Sequence, residues 1–164
     1  MNKTTSDIRS LRRLLDSASE FAMSYGDSVV AGDIEPAQRA TGNRASFVEL
    51  GEVRQRLQRD SAACRASVEC SRGLCDRMER ALRTDDRKAL HRLAIPLMLR
   101  LATLGENVRG IAWSVEAASR AVTAADASRS VQIRKRAQNA AKAGDRFQAQ
   151  LADVRDSLYF AACS

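Results

Sequence analysis

The chain has 164 residues, the size of one ordinary domain, and a net charge of +7 in which 23 arginines stand against 4 lysines. Alanine and leucine dominate its apolar residues, aromatics are scarce and prolines number two; that composition suits long helices and argues against a β-sandwich. The positive balance admits an acidic partner, whether nucleic acid, an anionic membrane or an acidic protein.

Apolar residues recur at helical spacing almost throughout. In the first segment they fall at Ile8, Leu11, Leu15, Ala18, Ala22, Tyr25 and Val29, steps of three and four that trace one helix stripe. The spacing predicts a helix over 5–31, with Thr4 and Asp7 as a capping box and Gly32 as the C-terminal stop. Residues 32–45 hold two glycines and a proline and show no stripe. They are expected as a loop with at most one helical turn after Pro36, either mobile or a binding segment.

A second helix is predicted over 47–83, with Ser46 as N-cap and Glu49 completing a capping box. Its stripe runs Leu50, Val53, Leu57, Cys64, Val68, Cys75, Met78 and Leu82, interrupted at Asp60 and Ser71. Arg54, Arg65, Arg72 and Arg83 share another face. Glu69 and Asp76 lie within reach of them, so a solvated, ion-paired face is expected there rather than an anion track.

Thr84-Asp85-Asp86 marks a short turn that caps a third helix over 85–125 and makes helices two and three antiparallel neighbours. The third stripe is Leu90, Ala94, Leu97, Leu101, Leu104, Val108, Ile111, Val115, Ala118 and Val122. Its phase survives Pro96, so a kink is expected there instead of a new element. Gly105 and Gly110 allow close helix approach. The stripe lapses over 123–132 and resumes out of phase at Ile133, Ala137, Ala140, Phe147, Leu151, Val154, Leu158 and Ala161. A hairpin near Asp126–Arg129 is preferred to one helix that would run on the order of 115 Å. The expected fourth helix spans 128–163. The fold class is therefore all-α: a single domain, 1–164, forming an elongated, coiled-coil-like antiparallel four-helix bundle with up-down-up-down topology.

Leu93–Val115 is the most apolar stretch, but Arg100, Glu106 and Arg109 interrupt it too often for a membrane span. No transmembrane segment is expected. The first residues show no apolar run of signal-peptide length before their first charges, so a bacterial cytoplasm is the expected compartment, with export by a dedicated secretion machine as the alternative.

Reaction chemistry is not expected. The single histidine, His91, sits among Arg87, Lys88 and Arg92, and no Glu-x-x-His pair offers a di-iron site. There is no G-x-S-x-G, P-loop or G-x-G-x-x-G pattern. Cys64, Cys70, Cys75 and Cys163 fit no common zinc spacing and read as small residues in a reducing compartment. The expectation is thus no enzyme, no metal and no cofactor.

Two surfaces remain. Ile95, Leu99 and Trp113 lie off the main stripe and Met98 at its edge, so helix three is apolar nearly all round between Leu93 and Leu104. Trp113 sits about 200° from both Ile111 and Val115. It is expected to pack against another helix of the same chain or against a second subunit. The other surface is basic: Arg129, Arg134, Lys135, Arg136, Lys142 and Arg146, with no acid between Ala127 and Gly144. The leading expectation is a non-enzymatic interaction module that self-associates and serves as adaptor, chaperone or assembly component. The alternative is a nucleic-acid-binding accessory protein using the basic patch.

Overall fold

The computed structural model describes the backbone of residues 3–163 and the side chains of residues 6–160. Among these residues every regular element is helical. Helix α1 (Lys3–Phe21) passes through two π-helical turns, Ala22–Asp27 and Val30–Ile34, into α2 (Glu35–Ala40). Then come α3 (Arg44–Arg83), α4 (Arg87–Ala125), a 3₁₀ turn at Ala127–Arg129, and α5 (Ser130–Cys163). The junction residues Phe21, Ser28, Val29 and Ile34 all keep right-handed helical backbone, so α1, the π turns and α2 make one continuous rod. This rod packs on α3 and α5, α3 packs on α4, and α4 on α5, which closes an all-α antiparallel bundle of four rods.

The expected stripes form the core. Leu97, Leu101, Leu104, Val108, Ile111 and Val115 of α4 are buried, and face Leu50, Leu57, Cys64 and Val68 of α3 in one continuous cluster. Burying a leucine of this kind contributes about 1.5–3 kcal/mol. Ala161 and Cys163 lie outside the described side chains, as does Thr4 of the expected capping box. Pro96 lies inside α4, which continues through it as one element.

Both short turns are built by carboxylates. Asp86 caps α4, its side chain accepting from the Ala89 N–H at 3.0 Å, and Asp85 adopts a left-handed φ of 52° that reverses the chain. Asp126 leaves the helical region (φ −147°, ψ 92°), and its side chain accepts from Ser128 N at 3.1 Å. The last two rods are therefore separate helices joined by a hairpin. Hydrogen bonds from Ser128 hold the Asp126 carboxyl below its ordinary pKa.

The segment 32–45 departs from expectation. Residues 32–40 are helical, and only residues 41–43 leave the helix. Gly32 stops nothing; no glycine among the described residues has positive φ. The stripe fades because its inward positions carry Gly26, Asp33 and Gln38 between Ala22, Val30, Ile34 and Ala37, and because each π turn shifts the phase by a residue. Pro36 sits in the first turn of α2 within this continuous rod; the Gly32 carbonyl, four residues before it, accepts from Arg129 in place of the missing N–H. The cap of α3 likewise lies upstream of Ser46: Asn43 Oδ1 accepts from Ala45 N at 2.9 Å and Ser46 N at 3.1 Å.

Candidate interaction surfaces

Cross-rod hydrogen bonds on both flanks set the rotation of α4. On the α3 side, Asn107 Nδ2 donates to Ser67 Oγ at 2.6 Å and to the Ala63 carbonyl at 3.2 Å, and the Ser114 hydroxyl donates to Asp60 at 2.6 Å. On the α5 side, Gln148 Nε2 donates to the Gly105 carbonyl at 2.7 Å. Gly105 permits this approach: a Cβ there would lie 2.8 Å from Leu151. Gly110 is less constrained, since a Cβ would meet Asp60 at an ordinary 3.7 Å.

With both flanks tied, the fourth face of α4 looks outward. It carries Ile95 (61% exposed), Leu99 (65%) and Trp113 (66%), while Met98 is half-buried at the α5 edge. The sequence thus located the surface, and no helix of the chain covers Trp113. The intrachain version of the Trp113 expectation is corrected: the ring lies on the outer face of α4 and is two-thirds exposed. Around these three residues the same face carries Ala102, Ala117 and an ion pair, Arg109–Glu106 at 2.7 Å. Other large exposed apolar residues, such as Phe47, Val131 and Tyr159, lie elsewhere on the rods.

The basic patch divides in two. Arg129 and Arg136 turn inward and hold the π-helical rod: Arg129 donates to the Gly32 carbonyl at 3.3 Å and pairs with Asp126, and Arg136 donates to the Ser28 carbonyl at 3.2 Å. Arg136 also lies 3.0 Å from Asp33, whose carboxylate is fully buried. These two arginines are structural, a role the sequence hid because Asp33 lies a hundred residues away. Arg134, Lys135, Lys142 and Arg146 remain exposed.

Arg65, Arg72 and Arg83 of the α3 arginine face are ion-paired, the first two across to the first rod. Arg72 pairs with Asp16 and Glu69, Arg65 with Asp27, and Arg83 with Glu79, while Arg12 reaches back from α1 to Asp76 and Glu79. These exposed pairs fix the register of two rods more than they stabilise them. His91 and Cys70 are exposed; Cys64 and Cys75 are buried. Burial pushes the Cys64 thiol up to about 11, which suits a packing residue rather than a nucleophile. No helix among the described residues is long and apolar enough to cross a membrane.

Comparisons with protein-family models, with curated proteins and with solved structures each yield no match to this chain.

Proposed function

We propose that this protein is a non-enzymatic interaction module that self-associates and acts in assembly, as an adaptor, chaperone or structural component. The observation that carries this reading is the line of Ile95, Leu99 and Trp113 along the outer face of α4, on a helix whose inner stripe is already buried in the core. Apolar side chains left aligned on a soluble bundle mark a contact surface. The exposed thiol of Cys70 fits a reducing compartment such as a bacterial cytoplasm.

Trp113→Ala is the direct test. The ring lies outside the core, so circular dichroism and the melting temperature are expected to stay within about 0.5 kcal/mol of wild type, while association measured by light scattering weakens. A Trp113 emission spectrum showing full water exposure in the intact assembly would remove the ring from the contact.

A second reading rests on Arg134, Lys135, Lys142 and Arg146, which stay in solvent after Arg129 and Arg136 have turned inward. Such a row can contact phosphates. If it does, Lys135→Glu with Lys142→Glu weakens binding to every DNA or RNA sequence about equally, and log affinity falls linearly with log salt. Salt-insensitive association of the wild type selects the apolar surface instead.

A further inference from the structure

The outer face of α4 is a second heptad seam. Ile95, Leu99, Ala102, Glu106, Arg109, Trp113, Glu116 and Arg120 follow alternating steps of four and three, the spacing that lets one helix pack along another. We propose that its partner is a second copy of this chain, with the two α4 helices antiparallel about a two-fold axis between Asn107 and Val108. This rests on the self-association reading and specifies the contact.

Three features of the seam select that arrangement. Its centre is a charge couple of opposite sign, Glu106 and Arg109, equidistant from the axis. Antiparallel pairing sets Glu106 of each copy against Arg109 of the partner subunit, so the intrachain pair grows into a four-charge cluster of alternating sign. Parallel pairing would stack Glu106 on the partner's Glu106 and Arg109 on the partner's Arg109. The second feature is size: in the same register Trp113 falls opposite Ala102 of the partner subunit, a large residue over a small one, whereas a parallel pair would set ring against ring. The third is distribution. Ile95 and Leu99 occupy one end of the seam and the Glu116–Arg120 ion pair the other, so reversal lays the two apolar side chains along the alkyl stems of Arg120 and Glu116 of the partner subunit. The two-fold also closes the assembly, since each copy uses its seam once.

Charge-swapped chains test this. Glu106→Arg leaves two cations at the centre of the seam, and Arg109→Glu leaves two carboxylates. Each variant alone is expected to dimerise at least tenfold more weakly than wild type. An equimolar mixture is expected to recover a heterodimer, because cations of one copy face carboxylates of the other; an intrachain role for Glu106 and Arg109 cannot produce that recovery. Spin labels on chains carrying Cys70→Ser and Cys163→Ser supply the geometry. Labels at position 106 are expected close together across the axis, and labels at 95 about 37 Å apart along it, from 25 residues at 1.5 Å each. Dimers whose 95–95 separation is as short as 106–106 are parallel and overturn the register while leaving the interaction surface in place. A wild type that stays monomeric at millimolar concentration overturns self-pairing and the self-association reading together.

Discussion

Arg136→Ala is expected to lower the stability of the fold by roughly 3 kcal/mol at neutral pH, near the bottom of the range for stranding a buried charge because part of the Arg136 side chain stays in water. Asp33 is fully buried in the second π turn. Arg136 NH1 approaches its Oδ2 to 3.0 Å but off the hydrogen-bond direction, and neither carboxylate oxygen is hydrogen-bonded. What stabilises the charge is mainly the field of Arg136, with Arg129 second. Burial outweighs both, and holds the Asp33 carboxyl above its ordinary pKa. A raised folded-state value means the protonated acid fits the fold better than the anion. Stability at this site is therefore fully present below the ordinary carboxylate range and is lost as the pH rises through the folded value. Removing Arg136 raises that value further, so the deficit of the variant is expected to be large at pH 7 and to shrink in acid. Asp33→Asn in the same chain is expected to restore most of the loss and to flatten its pH dependence. Urea titrations at two pH values decide the matter; an equal, small loss at both would show that the carboxylate does not need its arginine.

Gly26→Ala is the second large effect. A Cβ at Gly26 would lie 1.8 Å from Ser61 Oγ and 3.0 Å from Ser61 Cβ, with Ser61 itself fully buried on α3. Turning the hydroxyl away relieves the first contact only; the second obliges the two rods to separate. Overpacking of this kind costs about 1–3 kcal/mol, against which alanine's better helix propensity returns at most about 1 kcal/mol. A net loss of about 1–2 kcal/mol lowers the melting temperature by roughly 2–8 °C in a chain of this length. Ser61→Gly opens the space, so the double variant is expected to recover the contact part of the loss, and the coupling is read from a double-mutant cycle. An unshifted melt for Gly26→Ala would mean the rods are not in such close contact here.

These two sites are also where the linear pattern was least informative. From residue 22 to residue 38 the inward positions include glycine, aspartate and glutamine, which no hydrophobic stripe reveals. Gly32 and Pro36 imitate a loop locally, yet α3 and the arginines Arg129 and Arg136 pack against the segment and bond to its carbonyls. The exposed seam on α4 was legible as residues, because Ile95, Leu99 and Trp113 break the phase of an otherwise regular stripe. The inward roles of Arg129 and Arg136, two of the six basic residues, were not legible, because their carbonyl partners on the first rod lie about a hundred residues away.

By itself the sequence determined the helical class, the three long stripes and the turn at Thr84–Asp86, and it favoured the hairpin at Asp126 over one continuous helix. Each depends on residues within one or two helical turns of one another: periodic burial, a capping carboxylate, a change of phase. Tertiary structure decided the course of residues 32–40, the roles of Arg129 and Arg136 and the lack of an intrachain cover over Trp113. Those depend on which side chains meet across rods, where a buried carboxylate can be offset by a cation a hundred residues away and a glycine can be required by a serine on another helix. Such pairings cost nothing in local propensity and leave no periodic trace, so only the packed bundle reveals them.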